Sequence, residues 1–147
     1  MTYGQNLPVT ITTSSIELQK ALVEREIPNL SKMLLDYYII EHSLTAVLRK
    51  GKEHYFCRYR FEDFLKNIKQ YPEKYASTIE LLEQLGKLKG GIDLDRYRIS
   101  GAIKSRICVK GSCAGCSRKK DCAYNEFSRK MYNLPDLDFQ VTNHNMY

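Results

Sequence analysis

The chain has 147 residues, of which 43% are hydrophobic and 27% are charged. This length suits one domain that buries about 68–70% of its unfolded surface. The composition excludes a disordered, collagen-like or disulfide-rich small protein. No apolar run approaches the roughly 20 residues of a membrane span, and the N-terminus lacks the pattern of a signal peptide. We therefore expect a cytoplasmic protein with no membrane partner.

The net charge of +6 is concentrated in one window of the chain. Between residues 101 and 130, eight basic residues stand against two acidic ones, whereas the other 117 residues are balanced. The same window holds four of the five cysteines: Cys108, Cys113, Cys116 and Cys122. Thiols and positive charge together indicate an anionic partner, nucleic acid first, and a solvated basic face is the competing interpretation.

The N-terminal part of the chain predicts a strand–helix unit of an α/β sheet. Residues 9–13 (VTITT) are β-branched throughout and predict a buried strand. Ser14 or Ser15 then caps a helix, which an Ile-Pro pair at residues 27–28 interrupts before a second helical stretch. Residues 43–48 predict another strand or an extended segment.

The rest of the chain is predicted to be mainly helical. Apolar residues recur at helical spacing over residues 61–68 and again over residues 75–85. Residues 123–133 predict a further helix and residues 138–142 a short strand. Residues 92–100 give no clear assignment.

Three thiols within ten residues predict a metal site. An odd number of cysteines in a reducing compartment argues against a disulfide framework. Cys113, Cys116 and Cys122 are close enough in sequence to bind one metal centre, and the basic residues between them favour the thiolate. The candidates for the fourth ligand are Cys57, Cys108, His54 and His144. Four thiolates suit either zinc or an iron–sulfur cluster, and the chemistry alone slightly favours zinc.

The familiar catalytic motifs are missing from the sequence. It contains no GxxxxGKS/T, GxGxxG, HExxH or GxSxG pattern, and no acid–base pair stands out. We interpret the three scattered histidines as structural and expect no catalytic residue.

Four segments, taken in order, resemble the iron–sulfur helicases of superfamily 2, the DinG and XPD type, and DinG most closely. Residues 9–30 are similar to motif Ia, a strand ending in hydroxyl residues followed by a Leu-Gln pair and an Ile-Pro. Residues 48–57 (LRKGKEHYFC) resemble the segment that supplies the first cluster cysteine, with His54 where Asn is usual. The clustered cysteines come next. Residues 138–146 (DFQVTNHNM) resemble the strand that precedes the DEAH box.

The resemblance implies a 4Fe–4S cluster in place of zinc. By position it implies Cys57 as the first ligand, and Cys116 and Cys122 as the last two. We prefer Cys113 as the second ligand because it keeps the family's Cys-x-Gly pattern, and Cys108 is the alternate.

The family's cluster domain lies beside the DNA path, so the resemblance also implies single-stranded DNA as the partner. Hydroxyl groups and basic side chains would contact the phosphates without reading sequence. The residues expected to do so are Thr12, Thr13, Ser14, Lys50, Lys52, Arg118, Lys119 and Lys120. Aromatic residues that could stack on bases are Tyr55, Phe56 and Tyr59, although packing inside the domain is an equal alternative.

The implied fold is α/β: a partial RecA-like (P-loop NTPase-type) motor domain with a mainly helical iron–sulfur insertion. Residues 1–48 and 134–147 would belong to the motor, and residues 49–133 to the insertion.

The expected function is that of a fragment of an ATP-dependent 5′-to-3′ DNA helicase. Without a Walker A loop or a DEAH box, ATP and Mg²⁺ have no ligands, so we expect no ATP hydrolysis or unwinding by this chain alone. The rest of the helicase could be a second polypeptide. The alternative is a small cytosolic zinc-binding module for nucleic acid or protein.

Overall fold

The computed structural model describes residues 7–134 and 136–143. The chain divides into two compact units. Unit 1 lies within Met1–Lys50 and Asn133–Tyr147, and unit 2 is Gly51–Tyr132. Unit 1 combines strands with helices and unit 2 is mainly helical, which confirms the α/β class.

Unit 1 contains a three-stranded parallel sheet. Strands β1 (Val9–Thr12), β2 (Ala46–Arg49) and β3 (Phe139–Thr142) lie in the order β1-β3-β2. Val141 of β3 pairs with a residue of each neighbour and is fully buried. The first and last strands, β1 and β3, are parallel neighbours, so the sheet depends on a strand from the far end of the sequence.

The prediction of a strand at residues 9–13 is confirmed for Val9–Thr12, but the prediction that this strand is buried is wrong. Val9 is 57% exposed, and three of the four residues of β1 are exposed. Within the described part of the chain, β1 pairs on one side only, with β3. A β-branched sequence indicates a strand, but burial depends on what packs against its two faces.

Two α-helices follow β1 in unit 1: α1 (Ile16–Ala21) and α2 (Ile27–Asp36). A single π-helical turn, Leu22–Glu26, joins them without a break. The predicted interruption at residues 27–28 is therefore wrong. Pro28 lacks a backbone N–H, and a wider turn just before it lets the helix continue despite the missing donor.

Unit 2 is built from four helices around an apolar core. They are α3 (Arg58–Ile68), α4 (Pro72–Gly86), α5 (Gly101–Ile107) and α6 (Ala123–Tyr132). The periodicity that predicted α3, α4 and α6 is confirmed. Helix α5 is short and partly basic, and sequence periodicity missed it. The core centres on Leu82, Leu94 and Ile107, each at most 1% exposed.

Across residues 7–134 and 136–143, none of the helices combines the length and the apolar character needed to cross a membrane.

Two glycines of unit 2 give a matched pair of stability predictions. A Cβ at Gly91 would overlap the ring of Phe127, whereas a Cβ at Gly101, the first residue of α5, would meet no atom within 4 Å. We expect Gly91→Ala to lower the free energy of unfolding by about 1–3 kcal/mol through overpacking. Gly101→Ala should instead raise it by about 0.5–1 kcal/mol, because alanine restricts the unfolded chain.

Urea denaturation followed by tyrosine fluorescence measures both effects, since the chain has no tryptophan. Equal stability of the two variants would contradict the packing of α6 against Gly91.

Candidate metal centre and nucleic-acid surface

Cys57 is held in place by backbone contacts at the start of α3. Its N–H donates to the carbonyl of Ile107 at 2.8 Å, and its own carbonyl accepts from the N–H of Phe61 at 2.9 Å. The preceding residue, Phe56, forms an antiparallel bridge with Cys108. The segment carrying Cys57 is therefore fixed alongside the end of α5, where the loop of the other cysteines begins.

A lysine ties that loop to the segment before Cys57. The Nζ of Lys52 donates to the carbonyl of Gly111 at 2.7 Å. Gly111 has a φ of +62°, in the left-handed region that favours glycine. The contact fixes the path of the chain two residues before Cys113. Lys52 was predicted to bind DNA, and in this structure its ammonium group also has this internal partner.

Local turns place the remaining cysteines. The N–H of Cys116 donates to the carbonyl of Cys113 at 3.3 Å, which closes the CxxC segment into a tight turn. The N–H of Lys119 then donates to the carbonyl of Cys116 at 3.1 Å. Cys122 directly precedes α6, and its carbonyl accepts from the N–H of Glu126 at 3.0 Å. Backbone structure therefore fixes all three positions.

The four predicted ligands come from segments that backbone contacts hold beside one another; we call Cys57, Cys113, Cys116 and Cys122 the four-thiol group. Burial raises the pKa of the Cys113 thiol, and negative charge on the three other members raises that pKa further. All four side chains are partly buried.

The donor set fits iron–sulfur chemistry, since four cysteine thiolates are the ligands that such clusters take. Among the described residues, no group of three or more Cys, His, Asp or Glu side chains is arranged to hold a metal ion as it stands. The support for a metal centre is therefore the contacts that hold the segment of Cys57 beside the loop of Cys113, together with the chemistry of four thiols.

The alternate ligand, Cys108, belongs to the apolar core of unit 2. It is 3% exposed and packs in the same cluster as Phe56 and Phe61. Its Sγ lies 3.8 Å from the carbonyl oxygen of Ser105, to which the thiol donates. This position favours Cys113 over Cys108 as the second ligand.

Of the two histidines considered as the fourth metal ligand, the structure describes His54. His54 lies with its Nδ1 2.8 Å from an oxygen of Asp95, whose other oxygen pairs with Lys104. His54 is therefore part of a hydrogen-bonded network with Asp95 and Lys104, as the structural interpretation predicts. His144 lies outside the described residues, as do the last residues of the segment similar to the strand before the DEAH box.

The hydroxyl residues of unit 1 follow the carboxyl end of β1. The N–H of Thr13 donates to the carbonyl of Thr142 on β3 at 3.0 Å. The Oγ1 of Thr13 accepts from the N–H of Ser15 at 3.2 Å, and the Oγ of Ser15 caps α1. We call residues 12–14 the hydroxyl loop. It lies at the edge of a parallel sheet where α/β proteins commonly bind ligands.

A buried glutamine supports the hydroxyl loop and was not singled out from the sequence. Gln19 is 3% exposed, and its Nε2 donates to the carbonyl of Thr13 at 2.9 Å. A buried amide of this kind is rarely left without partners. Its only signal in the sequence is its place in the Leu-Gln pair of the segment that resembles motif Ia.

The predicted basic contacts fall into both units. Lys50 follows β2 in unit 1, whereas Lys52, Arg118, Lys119 and Lys120 belong to unit 2. Lys119 and Lys120 are exposed in the turn before Cys122. Arg118 forms an ion pair with Glu62, which neutralises part of its charge. Lys119 and Lys120 are therefore better suited than Arg118 to contact phosphates beside the four-thiol group.

Two of the three aromatic candidates for base stacking are core residues. Phe56 is 5% exposed and packs against Phe61 with ring centroids 5.0 Å apart. Tyr55 is 8% exposed, and its ring lies 5.2 Å from that of Phe127. The expectation that either ring could stack on a base is wrong, because neither presents a free face.

Burial gives Tyr55 a measurable effect on stability at high pH. It raises the pKa of the phenol from 10.0 to about 12, with a further contribution from Asp93. Because the folded pKa lies above the unfolded one, the phenol's stabilising contribution is complete below pH 10 and is lost as the pH rises towards 12. Between pH 8 and about pH 11, we expect the free energy of unfolding of wild type to fall by about 1 kcal/mol more than that of Tyr55→Phe. Urea denaturation of both proteins at pH 8 and 11 measures this difference. Equal losses of stability in the two proteins would contradict the raised pKa of Tyr55.

No protein-family model matches the chain, and none of the curated proteins matches its sequence. The functional assignment therefore rests on the chemistry and geometry of the sites described above.

Proposed function

We propose that the chain is part of an ATP-dependent 5′-to-3′ DNA helicase of the DinG type, and that its unit 2 carries the 4Fe–4S cluster beside the path of single-stranded DNA. The observation that carries this proposal is the four-thiol group. One of its members, Cys57, comes from a segment far from the others in sequence. The bridge between Phe56 and Cys108 and the hydrogen bond from Lys52 to Gly111 hold that segment beside the loop that carries Cys113, which supports the proposal.

The four-thiol group would act as the ligand set of the cluster. Bound there, the cluster would supply a rigid covalent link between three parts of unit 2. These are the start of α3 at Cys57, the loop at Cys113 and Cys116, and the start of α6 at Cys122. The hydrogen bond from Lys52 to the carbonyl of Gly111 would hold the loop of Cys113 and Cys116 in position for the cluster.

Unit 1 would be a partial RecA-like motor domain. Its parallel sheet, with the hydroxyl loop at the carboxyl end of β1, supports this proposal. Hydroxyl groups and backbone amides there suit contacts with the phosphates of a single strand. The basic turn at Lys119 and Lys120 in unit 2 would add phosphate contacts of its own.

The chain would bind DNA without hydrolysing ATP. Its sequence has neither a P-loop motif nor a DEAH box to hold nucleotide and magnesium. ATP hydrolysis would need the remaining motor segments, from the same polypeptide or a second one.

Anaerobically purified protein tests this function with two assays. Fluorescence anisotropy with a labelled oligothymidine should show binding at low salt, and an ATPase assay with the same DNA should show no turnover. Failure to bind single-stranded DNA at low salt would contradict the proposal. Binding with ATP turnover would contradict the part of it that concerns the motor.

A further inference from the structure

Tyr59 differs from the other aromatic residues near Cys57 because it is exposed. It lies on the first turn of α3, two residues after Cys57, and is 53% exposed. An exposed aromatic ring beside a proposed DNA path is the kind of surface on which unpaired bases stack.

An arginine from the cysteine loop lies over this ring. The guanidinium carbon of Arg118 is 5.5 Å from the ring centroid of Tyr59, within cation–π range. Glu62, one turn further along α3, forms an ion pair with the same guanidinium. A flat cation and a ring from distant parts of the sequence are thereby held next to each other on the surface.

The ion pair with Glu62 changes what Arg118 is suited to bind. A carboxylate next to the guanidinium offsets its charge and would repel a phosphate, so the arginine contributes little to phosphate binding. The ion pair is made through Nη1, at the edge of the guanidinium; one face of the group lies over Tyr59, and the side chain is 51% exposed. Guanidinium planes and aromatic rings are the groups on which proteins stack single-stranded bases.

We propose that Tyr59 and Arg118 form a binding site for one unpaired nucleobase of single-stranded DNA, with Glu62 as the residue that orients the guanidinium. This inference rests on the proposed function and adds a base contact to the phosphate contacts expected for it. Stacking on one aromatic ring is worth about 1–3 kcal/mol per base, and for a ring that is half exposed we expect the lower part of that range.

A comparison of affinities for a normal and an abasic oligonucleotide of equal length distinguishes base stacking from phosphate contact, because only the normal one carries bases. In anisotropy titrations of the anaerobically purified full chain, Tyr59→Ala should weaken binding of a 12-nucleotide oligothymidine about fivefold to tenfold. Its affinity for the abasic oligonucleotide should stay within about twofold of wild type, because no base is present to stack.

Two control variants define the role of the ring. Tyr59→Phe keeps the aromatic face and should bind oligothymidine like wild type. Tyr71→Ala removes another exposed tyrosine, 62% exposed, from the turn between α3 and α4, and should also bind like wild type. The iron content of each variant shows whether a loss of affinity accompanies loss of the metal centre.

A photocrosslink tests the site without any substitution. An oligonucleotide carrying 5-iodouracil should crosslink to Tyr59 of the wild-type chain, as identified by mass spectrometry of the peptides.

The base-stacking inference is overturned if Tyr59→Ala weakens both oligonucleotides equally, if it weakens neither, or if the crosslink maps elsewhere. In each of these cases wild type still binds DNA and the proposed function stands. Wild type that binds neither oligonucleotide overturns the inference and the proposed function together.

Discussion

Serine in place of any member of the four-thiol group should remove the cluster. In the series Cys57→Ser, Cys113→Ser, Cys116→Ser and Cys122→Ser, we expect iron to fall from about four atoms per chain to below one. A serine hydroxyl is far less acidic than a thiol and is a poor ligand for iron. Because the cluster would join separate parts of unit 2, we also expect each variant to lose thermal stability. Iron analysis after anaerobic purification measures the first effect, and a melting curve the second.

Cys108→Ser is the matched control for this series. The thiol of Cys108 donates to the carbonyl of Ser105 within the core, and a serine hydroxyl can donate to the same oxygen. We expect this variant to keep its iron and to lose only about 1–2 kcal/mol of stability from burying a hydroxyl. Loss of iron in Cys108→Ser, together with its retention in Cys113→Ser, would reverse the assignment of the second ligand.

The affinity for single-stranded DNA should depend steeply on salt. Three exposed lysines lie in or beside the cysteine loop: Lys110, Lys119 and Lys120. If each neutralises one phosphate, affinity should fall roughly twentyfold between about 50 and 200 mM salt, because bound counterions are released. In the double variant Lys119→Gln/Lys120→Gln, the same change in salt should lower affinity only about threefold.

Two lysines that already have acidic partners provide the control. Lys32 pairs with Asp36, and Lys69 pairs with Glu83, each at 2.6 Å. The double variant Lys32→Gln/Lys69→Gln removes the same formal charge as the test variant and should leave the salt dependence near that of wild type. An equal reduction in both double variants would indicate a general effect of net charge and contradict a local phosphate contact.

The sequence predicts much of the fold where the signal is local. Helical spacing of apolar residues identifies α3 and α4, and β-branched residues identify β1. Features set by tertiary contacts were not predictable in this way. The exposure of β1 depends on what covers the sheet, and the continuity of the helix through Pro28 depends on a π-helical turn.

In the candidate site, too, the features with a local sequence signal were predictable and those set by tertiary contacts were not. Spacing indicates that Cys113, Cys116 and Cys122 act together, because they share one loop. Cys57 was indicated by the resemblance of residues 48–57, whereas the bridge between Phe56 and Cys108 that holds its segment beside the loop is a tertiary contact that no local pattern reveals.

Partners that lie far apart in sequence were missed altogether. Glu62 and Tyr59 meet Arg118 only in the folded unit. The support that Gln19 gives to the hydroxyl loop likewise requires the turn between β1 and α1 to be formed. The ion pair between Glu62 and Arg118 shows that such tertiary contacts decide which basic side chains are neutralised within the protein.

The metal content of the wild-type chain tests the central claim most directly. Protein purified without oxygen should be brown and contain about four iron atoms and four acid-labile sulfides per chain, with little zinc. A colourless protein with one zinc ion per chain and no iron would contradict the cluster and favour the zinc-binding module instead.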